Sequence, residues 1–84
     1  MTDACRPLLR VYGHAYCSLC KEMLAALRQW PEPLQVEWVD IEGHNDLESR
    51  FGELVPVLCG EDGVTICHYH LDSLALDAYL ADFR

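Results

Sequence analysis

Two thiols separated by two residues, Cys17-Ser18-Leu19-Cys20, are the side chains of this chain best suited to chemistry. A Cys-x-x-Cys serves either as a redox dithiol or as half of a zinc site. In the redox role one thiolate attacks a disulfide and the second sulfur then closes a ring behind it. Thiols ionise at about pH 8.5–9 when free. A helix N-terminus, where unpaired backbone N–H groups and the positive end of the helix dipole converge, brings such thiols down to about 3.5–7.5. Cys17 is therefore expected to be the nucleophile, and Cys20, one turn further along and more buried, the resolving thiol. Lys21, four residues beyond Cys17, and His14, three before it, are candidate tuning groups. For zinc, His14, Cys17 and Cys20 would supply three ligands, with Cys67, His68 or His70 as a fourth. Structural zinc sites usually draw on two tight pairs in loops or hairpins, so the redox role is preferred and no metal ligand is assigned.

The remaining cysteines are Cys5, Cys59 and Cys67, and an odd total of five argues against a disulfide-stapled secreted domain. Cys59 reads as a buried strand residue and Cys5 as an exposed thiol in the N-terminal tail. Eighty-four residues allow one domain, spanning 1–84. Fourteen acidic against six basic side chains give a net charge of −8, which repels nucleic-acid phosphates and anionic membrane surfaces, so neither is an expected partner. The start, Met-Thr-Asp-Ala-Cys-Arg-Pro, has neither the basic opening nor the apolar stretch of an export signal, and no apolar run approaches the ~18 residues of a membrane span. A cytoplasmic setting and a monomer are expected.

The elements that must position the motif follow from periodicity. Leu8 to Tyr12, closed by Gly13, reads as a buried strand. Ser18 to Trp30 carries a helical stripe of Leu19, Met23, Ala26, Leu27 and Trp30, and the Pro31-Glu32-Pro33 that follows ends it. Val36 to Ile41 reads as a second strand. A short helix follows between Asn45 and Gly52, with Asn45 or Asp46 as cap and Gly52 as stop. Val55–Cys59 and Val64–Cys67, joined by Gly60-Glu61-Asp62-Gly63, read as a hairpin. Asp72 caps a closing helix to Phe83 whose leucines and alanines occupy two faces, which predicts a helix buried on both. The order β-α-β-α-β-β-α predicts an α/β domain: a four-stranded mixed sheet with helices on both faces.

Three segments, Leu9-Arg10-Val11-Tyr12, Cys17-Ser18-Leu19-Cys20 and Phe51-Gly52-Glu53-Leu54-Val55-Pro56-Val57-Leu58, resemble the glutaredoxin-like branch of the thioredoxin superfamily. The likeness spans nearly the whole chain. It is most specific in the pairing of a Cys-x-x-Cys with a Val-Pro some forty residues later. It implies a thioredoxin-like fold and a cis Val55–Pro56 bond beside the redox cysteines, with Val55 facing the substrate; Tyr16, Cys67 and His68 are further substrate-binding candidates, against the readings of Cys67 as a half-buried strand cysteine and His68 as a loop residue. Glutathione-using members have Cys-Pro-Tyr-Cys and a Gly-Gly after the fourth strand; this chain has Ser18-Leu19 between its cysteines, and Ile66-Cys67 at the aligned glycine positions. Bulky side chains there oppose a close backbone approach.

These features imply a thiol–disulfide oxidoreductase acting on a disulfide-containing protein or a low-molecular-weight disulfide. A reductase is a candidate electron donor, glutathione a doubtful co-substrate, and no cofactor is needed. The alternative is an adaptor on the same fold whose dithiol holds zinc or an iron–sulfur cluster, or senses redox state.

Overall fold

The computed structural model describes residues 8–31 and 34–83, with the side chain of Phe83 excluded. Cys5 and the Glu32-Pro33 part of the first linker lie outside these residues. Seven elements appear in the predicted order: β1 (Leu8–Gly13), α1 (Ser18–Arg28), β2 (Gln35–Asp40), α2 (Asn45–Phe51), β3 (Val57–Gly60), β4 (Thr65–His68) and α3 (Ser73–Phe83).

The sheet runs β2-β1-β3-β4. β1 pairs parallel with β2, opposing Val11 to Trp38 and Gly13 to Asp40, and antiparallel with β3, opposing Tyr12 to Val57. The β3–β4 hairpin is antiparallel, with Val57 opposite His68 and an irregularity between Leu58 and Cys59. The register therefore gathers Gly13, Val57 and His68 at one end of the sheet, which is also where β1 hands over to the Cys-x-x-Cys turn.

Strand alternation divides the apolar residues between two faces. On one, Leu9, Val11 and Leu58 meet Met23 and Leu27 of α1 and Leu76 and Leu80 of α3. On the other, Val57 and Cys59 meet Ile41 and Phe51, and the Tyr12 ring lies 4.6 Å from that of Phe51. Helices thus cover both faces: α1 and α3 on one, the shorter α2 on the other.

Several sequence expectations are corrected locally. α1 ends at Arg28, short of Trp30: the Gln29 and Trp30 N–H groups turn back to the carbonyls of Ala26 and Leu27 in a tightened last turn, because Trp30 precedes Pro31 and avoids helical dihedrals. Ile41 lies beyond β2, fully buried, with its N–H donating to the Gly13 carbonyl at 3.0 Å. The cap of α2 is His44, which makes no side-chain capping bond; Glu48 reaches back instead to the Gly43 N–H at 2.9 Å. Asp72 does cap α3, accepting from the Ala75 N–H at 3.1 Å. Yet α3 buries only the Leu76 and Leu80 face fully, and Leu74 is 81% exposed. A helix laid on one face of a sheet has a single contact stripe, so the second apolar face of α3 stays open.

Candidate functional site

The site begins where β1 stops. The carbonyl of Gly13 is taken by Ile41, fixing the strand end, and the chain turns so that the Cys17 N–H donates to the His14 carbonyl at 3.1 Å. Cys17 has extended dihedrals (φ −89°, ψ 120°) and forms the N-cap of α1, its own carbonyl accepting from the Lys21 N–H at 3.2 Å. Its sulfur accepts from the Cys20 N–H at 3.3 Å. A cysteine thus occupies the capping place usually held by Ser, Thr, Asp or Asn, with its sulfur aimed at a first-turn N–H group that otherwise lacks a partner.

The two sulfurs differ in surroundings. Cys17 is half-buried, whereas Cys20 is 1% exposed and heads the buried stripe that continues through Met23 and Leu27. Burial, followed by the hydrogen bond to Cys17 and the charge on that sulfur, pushes the Cys20 thiol up to about 11; the backbone N–H groups of His14 and Cys20 pull the other way. Cys20 therefore stays protonated at neutral pH.

Val55–Pro56 is cis, with Pro56 buried and Val55 half-buried, just ahead of β3 at the same sheet end as Gly13. Tyr16 is 72% exposed, its ring stacked on His14 at 5.1 Å and 17°. Cys67 is half-buried against the α1/α3 core and its thiol is pushed up by burial; His68 is exposed with its ring 4.7 Å from Tyr69. Lys21 is exposed and faces a cleft that runs toward Trp38. Cys59, buried on the α2 face, is also pushed up by burial and hydrogen-bonds weakly with Thr65 at 3.9 Å between sulfur and oxygen.

The structure adds residues that the sequence reading left unassigned. Gly13 is packed so closely beneath Cys20 and Trp38 that a Cβ there would overlap the Cys20 sulfur. Tyr69 adopts a positive φ of 66° and donates twice, from its N–H to the Pro56 carbonyl and from its phenol to the Glu53 carbonyl, both at 2.9 Å. His14 gathers with Asp40 and Glu42, one ligand-type atom of each lying within 4.8 Å of the others; this is the only cluster of metal-ligand type among the described residues, and it includes no cysteine. A glycine preceding the motif turn was a visible hint of the first. Tyrosine is an uncommon occupant of the left-handed region, so the second had no signal.

Comparison with known proteins agrees with this architecture. The family model "Glutaredoxin-like domain (DUF836)" matches residues 8–81. The solution NMR structure of protein Ne2328 from Nitrosomonas europaea is similar at 38% identity and a TM-score of 0.80, over 88% of this chain and 91% of that one. The X-ray structure of a structural-genomics target protein from X. campestris is similar at 31% identity and a TM-score of 0.73, over 88% of this chain and 96% of the other. No curated protein matches. No described helix is long and apolar enough to cross a membrane.

Proposed function

This chain belongs to the glutaredoxin-like domain family, and from that premise we propose that it is a thiol–disulfide oxidoreductase in which Cys17 attacks and Cys20 resolves. One observation carries the reading: a half-buried capping sulfur hydrogen-bonded to the N–H of a second cysteine whose own thiol is buried and held protonated.

The Cys17 thiolate attacks one sulfur of a substrate disulfide; that S–S bond breaks, and the departing thiolate takes up a proton. The mixed disulfide so formed joins Cys17 to the other half of the substrate. Cys20 then gives up its proton and attacks the Cys17 sulfur, releasing the second substrate thiol and leaving Cys17–Cys20 oxidised. Two electrons and two protons have passed to the substrate, and an external dithiol or reductase must return them.

Tyr16, Val55, Pro56, Cys67 and His68 form the proposed substrate rim, and His14 and Lys21 flank the motif as tuning groups. Glutathione is a weaker candidate than a protein disulfide or another small disulfide, because Ile66 and Cys67 stand where glutathione users have two glycines. A monomer working in the cytoplasm, where thiols are kept reduced, suits the unpaired state of Cys17, Cys20, Cys59 and Cys67.

Equilibration in glutathione redox buffers with mass detection tests the proposal. The parent protein should lose two protons' mass on oxidation, Cys20→Ser should accumulate a mixed disulfide on Cys17, and Cys17→Ser should do neither. Inert Cys17 sinks the proposal, and stoichiometric metal lost on Cys17→Ser would assign the dithiol to an adaptor instead.

A further inference from the structure

On the α1–β2 side of the motif lies a cleft of about 350 Å³, lined by His14, Cys20, Lys21, Leu24, Arg28 and Trp38 among others. Its volume is at the lower end of that of small-molecule sites. Leu24 and the half-buried Trp38 also pack against the core, so the floor is apolar and held in place. Lys21 and Arg28 stand seven residues apart on α1, two turns along one side of the helix.

The distribution of cations gives this cleft its character. Four Lys or Arg residues fall among those described. Arg10 is engaged by the Glu37 carboxylate at 2.8 Å, and Arg50 lies 4.7 Å over the Phe51 ring. The other two, Lys21 and Arg28, both line the cleft, and neither forms an ion pair among the described residues. In a chain of net charge −8 this is, among the described residues, the place where an anion meets uncommitted positive charge over an apolar surface. Asp40 and Glu42 cluster with His14 but do not line the cleft, so negative charge is concentrated at its His14 end.

We propose that this cleft binds a small aromatic carboxylate, with its acid group at the Arg28 end, supported by Lys21, and its flat body on Trp38 and Leu24. The carboxylate supplies the charge-assisted contact and the ring the apolar burial. The binding groups are Arg28, Lys21, Trp38 and Leu24, none of which takes part in the thiol exchange, and binding is read on the reduced chain, so the proposal stands or falls separately from the oxidoreductase reading.

Titration of the reduced full chain with 1-naphthoate, followed by two-dimensional amide NMR, tests it. Saturable shifts are expected at Cys20, Lys21, Leu24, Arg28 and the Trp38 indole. Arg28→Gln should weaken binding about tenfold or more, as should replacing the probe by neutral 1-naphthamide, because a hydrogen bond to a charged group accounts for at least that ratio. Glu22→Gln, on the exposed side of α1, should leave binding unchanged or tighten it. The proposal is overturned by the absence of saturable shifts up to about 10 mM probe, by shifts mapping elsewhere, or by equal affinity for the amide or for the Arg28 variant.

Discussion

Gly13 sits directly under the sulfur of Cys20, leaving no room for even a methyl group between the end of β1 and the buried thiol. The same absent side chain would press on the Trp38 indole. Glycine is needed here for close approach rather than for its dihedrals, since only Gly43 and Gly63 among the described glycines have positive φ. Gly13→Ala must therefore displace Cys20 or Trp38, and overpacking of this kind costs about 1–3 kcal/mol. Urea denaturation of the reduced protein should show that loss as a lowered midpoint at an unchanged slope. A midpoint equal to the parent's would mean that the contact is slack.

The raised Cys20 thiol gives stability a pH dependence of definite sign. Its ordinary value is 9.0 and its folded value about 11, raised first by burial and then by Cys17. Between those values the unfolded chain releases the proton while the folded chain keeps it, so the folded state binds more protons and stability falls as pH rises. Below 9.0 the contribution is fully present. Cys59 and Cys67, also raised by burial, act in the same direction. Denaturation midpoints of the reduced protein should decline from pH 9 to pH 11, and Cys20→Ala should flatten that decline. An equal slope in both proteins would show that other groups set it.

Much of this arrangement was legible in the chain itself, for physical reasons that differ by residue. Leu8 to Tyr12, closed by Gly13, and Val55 to Cys59, closed by Gly60, are short apolar runs, and with the order of elements they allowed the mixed sheet and its two covered faces to be read. Cys17, just ahead of the helical stripe, was likewise legible as a residue of the helix start, and it is the N-cap of α1. Periodicity failed at α3, where Leu74 and Leu76 look alike in composition but only Leu76 faces the sheet. It also failed for side-chain contacts between distant segments. Nothing in the order of residues says that His14 meets Asp40 and Glu42 across the β1–β2 ends, or that Tyr69 reaches Glu53.

That Tyr69 contact yields the last prediction. The residue holds a left-handed φ of 66° while its N–H binds the Pro56 carbonyl and its phenol the Glu53 carbonyl, so a single side chain and its own backbone bracket Val55–Pro56. The left-handed conformation costs a residue with a Cβ about 1–2 kcal/mol, so the brace must offset a local penalty. Tyr69→Phe keeps the ring and the penalty but removes the phenol bond, and should lower stability by about 0.5–1.5 kcal/mol. Tyr69→Gly removes the bond and the penalty together, and should lose less than the loss of the whole side chain would otherwise imply. Amide hydrogen exchange offers the local readout: protection of the Tyr69 N–H, bound to the Pro56 carbonyl, should fall in Tyr69→Phe while that of Leu9 and Val11 holds. Uniform protection in the two regions, with an unchanged denaturation midpoint, would show that the phenol braces nothing.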